Sequence, residues 1–159
     1  MKKMKNIFSI LKLTVVTLVL FAVIYPLSIY AVAQLAPNQG KGETLSVNGK
    51  VVGYQKIGQK FDKSNYFWGR PSAVDYNAAG SAGSNKGPSN AEYLALVQKR
   101  IDTLLLVHPY LKKADIPSDM VTASGSGLDP NISPEGALIQ VKRIAKERNL
   151  AEAKVKALV

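Results

Sequence analysis

The sequence has no cysteine, and His108 and Trp68 are its only histidine and tryptophan. Without thiols it has no disulfide framework, no thiolate nucleophile and no cysteine zinc site. No acidic residue occurs before Glu43, and the 11 from there on show no metal-ligand spacing. A complete phosphate-binding loop is also missing. Gly53 and Gly58 have the right separation, but Gln59-Lys60 follows where Lys-Ser/Thr is required, and Asn85 stands where the second glycine of a loop begun at Gly80 belongs. A triad of Ser124, His108 and Asp129 can be drawn from composition, but Gly125-Ser126-Gly127 lacks the strand–turn–helix setting of a nucleophile elbow. His108, before Pro109, reads as a capping or half-buried residue. These absences leave an anchored, non-enzymatic module.

The longest absence is of charge. From Leu13 to Leu35 no residue is charged, a stretch of about 34 Å as a helix, enough to cross a hydrocarbon layer of about 30 Å. Tyr25 and Tyr30 suit an interfacial belt, and Pro26 is tolerated in a membrane helix. The competing reading is a cleaved signal peptide ending at Ala31-Val32-Ala33, but the run is long for one. Lys2, Lys3, Lys5 and Lys12 precede or open the run, whereas the far flank has no basic residue before Lys41. This bias predicts a single-pass protein with a cytoplasmic N-terminus and its domain outside. Of 21 basic residues these four belong to the anchor, so the remaining 17 against 11 acids give the outer part a net +6. That charge suits an anionic surface or an acidic partner. Nucleic acid is disfavoured because the basic residues are scattered, without interleaved stacking aromatics.

The expected organisation is a cytoplasmic N-terminus and transmembrane helix over 1–35, a linker over 36–42 and a small extracytoplasmic α+β domain over 43–159. Asn48-Gly49 between β-branched runs predicts a hairpin over 44–54, with 57–61 continuing the sheet. Ser89 and Glu92 form a capping-box pattern for a helix burying Leu94, Val97, Ile101, Leu104 and Leu105 and ended by Pro109. Met120–Ala123 reads as a short strand. Ser133-Pro134-Glu135 opens another helix with an Ala137, Leu138, Val141, Ile144 and Ala145 stripe. Its run of Lys142, Arg143, Lys146 and Arg148 reads as a solvated, dipole-complementing face. Residues 151–158 form a final short helix.

Two polar, glycine-rich blocks remain, Tyr66–Asn90 and Val121–Gln140. Loops this long in a small domain are uncommon unless functional or disordered, and Tyr66-Phe67-Trp68 argues against disorder. Ser124, Ser126, Asp129, Asn131 and Ser133 either satisfy their own backbone or form a binding site, and the same holds for Arg70 and for Ser84 and Asn85. Trp68 is either core packing or a partner-facing anchor. Gly125 and Gly127 are expected in backbone conformations closed to other residues.

The runs YFWGRPSA (Tyr66–Ala73), AGSNKGPSN (Ala82–Asn90) and VTASGSGLDPNIS (Val121–Ser133), with a glutamine following, resemble the C subunit of Kdp-type potassium-transporting ATPases. The resemblance spans nearly the whole chain. It implies a single-span bacterial inner-membrane subunit without catalysis of its own, partnered by a potassium-channel-like subunit, a P-type ATPase subunit and the lipid bilayer. No cofactor is bound firmly, and ATP enters only through the hydrolysing partner. It also implies a candidate role for Gln140 as a catalytic-chaperone residue that raises ATP affinity. The lysine bias places Gln140 on the side away from cytoplasmic ATP. Asn131 stands where the family usually has histidine. Relatives continue past the position of Val159 through a strand-forming segment, so a truncated sequence or an open sheet edge is expected here. The alternative to an accessory subunit is an anchored extracytoplasmic binding module for a small ligand or wall polymer.

Overall fold

The computed structural model describes residues 2–159, with side chains described from Asn6 onward. The chain divides into two compact units, one ending at Thr44 and one spanning Leu45–Val159.

The first unit is a long helix in two pieces, α1 (Lys2–Val19) and α2 (Tyr25–Ala33), joined by a π-helical turn over Leu20–Ile24. Within Asn6–Ala33 the most apolar 18-residue stretch has a mean hydropathy of 2.6 and none of it is buried in the protein, the character of a membrane-span-like helix. The wide turn falls immediately before Pro26, whose ring and missing N–H do not fit a regular α-helical turn. The hydroxyls of Thr17 and Ser28 donate to the carbonyls of Leu13 and Ile24, so these two polar groups are satisfied within the helix. Pro37–Gly40 forms a short 3-10 turn before the second unit.

The second unit opens with the predicted hairpin. Strands β1 (Thr44–Val47) and β2 (Lys50–Tyr54) are joined by Asn48 and Gly49, with φ of 52° and 75°, the geometry that Asn-Gly favours. Residues 57–61 do not extend the sheet as expected: a single bridge joins Tyr54 and Ile57. The Gly58 amide donates instead to Leu128 O at 2.8 Å, which ties this segment to the second polar block.

Helix α3 (Ala91–Val107) is capped by Asn90, one residue later than the sequence suggests. Asn90 Oδ1 accepts from Tyr93 N at 2.9 Å, and Glu92 pairs with Lys86 rather than reaching back to the cap. Leu104 is its buried residue, while Leu94 is 51% exposed. Met120–Ala123 is not a strand. Ser118–Met120 is a 3-10 turn, and the Val121 and Thr122 amides both return to Ser118 O, which consumes donors a strand ladder would need.

Ser133 caps the next helix as predicted, accepting from Gly136 N at 2.9 Å. That helix is two short ones, α4 (Pro134–Leu138) and α5 (Val141–Arg148), separated at Ile139–Gln140. Leu138 of the expected stripe is exposed. Asn149, at φ 53°, ends α5 and leads to α6 (Glu152–Lys156).

Two apolar clusters form the core. One joins Val141, Ile144 and Ala145 of α5 to Val155 of α6, with Phe67 against it. The other joins Leu104, Met120 and Val121, with Trp68 against it. Adjacent residues of the first polar block thus feed different clusters.

Candidate functional site

The centre of the second unit is a knot around Gln140, which is fully buried. Its Oε1 accepts from Trp68 N at 2.7 Å and from Arg143 Nη2 at 2.7 Å. Its Nε2 donates to Gly136 O at 2.9 Å and Trp68 O at 3.1 Å. The amide is therefore saturated on both ends. The break between α4 and α5 turns this side chain inward, because Gln140 sits at the junction.

Arg143, one turn on, is the residue the charge pattern conceals. It is 6% exposed, not part of a solvated face. Its guanidinium lies 4.3 Å from the Trp68 ring centroid, and Nη1 donates to the carbonyls of Ser64 and Tyr66. Its Nε donates to His108 Nε2 at 2.9 Å. Stacking and carbonyls offset the cost of burying this cation, for which no ion pair occurs among the described residues. The signal available in sequence is its three-residue spacing from Gln140 beside the Val141 and Ile144 stripe.

His108 is fully buried. Because Nε2 accepts from Arg143, Nδ1 carries the proton and donates to Leu104 O at 2.9 Å. Burial pushes its pKa below the usual histidine value and the Arg143 charge adds to this, while the Leu104 bond opposes it. Both ring nitrogens are thus engaged away from Ser124, and the triad that composition allows is not assembled.

Around this knot the two polar blocks are stitched to each other. Ser124 N donates to Pro71 O at 3.2 Å, Ser72 Oγ to Gly127 O at 2.7 Å, and Ser81 Oγ to Ser126 O at 2.9 Å. Gly127 is at φ 67°, and a Cβ there would meet Val74 Cγ2 at 2.6 Å and Ala82 O at 2.8 Å. Gly125, by contrast, is not in the left-handed region, which corrects that expectation.

Of the candidate residues, the structure brings Arg70, Asp129 and Asn131 together. Arg70 Nη1 contacts Asp129 Oδ2 at 3.0 Å, and Asn131 N donates to Asp129 Oδ1 at 2.9 Å. The Asn131 amide, with help from Arg70, holds the Asp129 carboxyl below the usual carboxylate range despite partial burial. Ser124 is buried in the stitched loops. Ser84 is half-buried, and Asn85 is exposed at φ 52°. Neither joins the Arg70–Asp129 group. Trp68 lies in the core, edge-on to His108.

The molecule is thus of a definite class, a membrane-span-like helix followed by a small α+β domain with helices and one two-stranded sheet. The family model described as KdpC, K+-transporting ATPase, c chain, matches residues 7–159. The chain is 90% identical over 156 residues to the potassium-transporting ATPase KdpC subunit of Flavobacterium johnsoniae, covering 98% of this chain and 85% of that one. It is 81% identical over the same span and shares to the subunit of Flavobacterium psychrophilum. Identity to that of Bacteroides thetaiotaomicron is 54% over 159 residues, 98% of this chain and 84% of the relative. The chain belongs to the KdpC family of potassium-transporting ATPase subunits.

Proposed function

We propose that the chain is the non-catalytic accessory subunit of a high-affinity, ATP-driven potassium transport complex. The helix anchors it in the bacterial cell membrane with the N-terminus in the cytoplasm and residues 43–159 outside. There the domain stabilises assembly of a potassium-channel-like subunit with a P-type ATPase subunit. ATP is bound by the hydrolysing partner. Any chaperone effect on ATP affinity is transmitted through the assembly and not by contact of Gln140 with nucleotide.

Membership of the KdpC family supports the subunit reading, and the observation that carries the bracing role is the condition of Gln140. It is fully buried, with its acceptor and donors spent on Trp68, Arg143 and Gly136. To ligate ATP it would have to abandon four bonds and open the core, a cost of several kcal/mol for the groups left behind. As a brace it fixes Trp68 and hence the surface of both stitched loops. The test is affinity purification of the tagged chain from membranes in mild detergent. Two large polytopic subunits should co-purify in fixed proportion, and recovery of the chain alone would contradict the reading.

A further inference from the structure

A cavity of about 460 Å3 lies between the first polar block and α3. That size falls in the range of small-molecule sites. Its walls are mainly apolar, including Phe61, Trp68, Leu104 and Met120. Lys60, Arg70, Lys99 and Arg100 also line it, against two carboxylates, Asp62 and Asp75. Both acids act on Lys60: Asp75 pairs with it at 2.8 Å, and Asp62 adds a favourable charge. On the α3 side the balance is different. Among the described residues neither Lys99 nor Arg100 has a carboxylate partner. Arg100 Nη1 donates to Val121 O at 2.9 Å, and its remaining donors find no acceptor among those residues. Arg70 Nε, also a donor, is buried without a hydrogen-bond partner. Burial disfavours the charged form of Arg100, a cost that a bound anion would offset.

We infer that this cavity is a binding site for a carboxylate carried on an apolar or aromatic body, with Arg100 and Lys99 holding the carboxylate and Trp68, Leu104 and Met120 covering the body. A guanidinium fork matches a carboxylate in two parallel bonds. A small, strongly hydrated anion such as phosphate gains nothing from apolar walls and is the poorer fit. The carboxylate is either that of a free organic acid or that of an acidic side chain on an assembled subunit. Only the second source rests on the pump reading.

Trp68 lines the cavity and is the only tryptophan, so its fluorescence reports occupancy. The full chain in a non-ionic detergent is titrated with phenylacetate, with the uncharged phenylacetamide and with inorganic phosphate. Phenylacetate should give a saturable change, with the other two at least about tenfold weaker for want of the charge-assisted pair or the apolar contact. Arg100→Gln should abolish the response and Arg100→Lys retain part of it. Lys99→Gln, at an exposed side chain without a structural bond, should weaken it several-fold and serves if the Arg100 variants fail to fold. An equal response to phenylacetamide, or unchanged affinity in folded Arg100→Gln or Lys99→Gln, overturns the proposal. This arm needs no partner, so its failure is separate from failure of the pump reading. A second arm adds saturating phenylacetate to the co-purified complex. Release of the chain assigns the natural carboxylate to a subunit side chain, and an intact complex assigns it to a free acid.

Discussion

Gln140 satisfies both main-chain polar groups of Trp68, accepting from its N–H at 2.7 Å and donating to its carbonyl at 3.1 Å. A side chain here does what a neighbouring β-strand would do, and it does so across 72 residues of sequence. Trp68 in turn offers its ring to Arg143, which returns to Gln140 Oε1. The three residues and His108 form one closed unit between the two apolar clusters.

Gln140→Ala should therefore destabilise the second unit by about 2–4 kcal/mol, from unpaired Trp68 and Arg143 groups and the cavity left behind. Denaturation of the full chain in detergent, followed by Trp68 fluorescence, measures it. A change under about 0.5 kcal/mol, ordinary for surface substitutions, would contradict the brace.

His108 predicts an acid limit. The folded state holds the ring neutral with a pKa below the usual 6.5, chiefly through burial. Below about pH 6.5 the unfolded chain takes up a proton that the folded chain refuses, so stability present above that pH falls as pH drops toward the folded value. The slope approaches about 1.4 kcal/mol per pH unit at most. Denaturation midpoints at stepped pH should fall for the parent chain and stay flatter for His108→Gln across this window. Parallel profiles would refute the assignment.

Gly127→Val places a β-branched side chain at φ 67° and against Val74 and Ala82 O. The strain and overlap should cost more than about 2 kcal/mol. The amount of intact complex recovered in detergent should fall, while Gly80→Ala, where a Cβ meets nothing within 4 Å, should leave recovery unchanged. Equal recovery for both would separate the stitched loops from assembly.

Four lysines before Leu13, and none from there to Lys41, predict an uncleaved anchor with the domain outside. Protease added to spheroplasts should degrade residues 36–159. Protection of that part, or a mature N-terminus at Gln34, would contradict the topology.

The features legible in the sequence have a local cause. Asn48-Gly49 forces its own turn, Ser133-Pro134 sets its own cap, and an uncharged run declares itself without tertiary help. Local pattern misleads where a distant partner decides the outcome. The Gly58 amide goes to Leu128 rather than to a third strand, and Ser118 O captures the Val121 and Thr122 amides where the pattern of Met120–Ala123 suggests strand pairing. The break at Ile139–Gln140 has no glycine or proline at the junction itself, where an inward amide with four hydrogen bonds outweighs helix propensity. Arg143 is hidden for the same reason: a run of basic residues on a short helix looks solvated until Trp68, 75 positions earlier, supplies a ring for it. The serines of the second block stand out as a group in the sequence, and Ser126 and Ser133 satisfy nearby amides of Leu128 and Gly136, but the stitches between blocks come from Ser72, Ser81 and the Ser124 amide, which spacing does not encode.

The most direct test of the brace is the Michaelis constant for ATP of the assembled pump carrying Gln140→Ala, measured on complex that has remained intact, alongside the yield of that complex. A buried, saturated amide predicts reduced yield with an unchanged Michaelis constant in the complex that survives. A several-fold rise in the Michaelis constant at normal yield would mean that Gln140 acts on ATP binding itself, and would contradict the account.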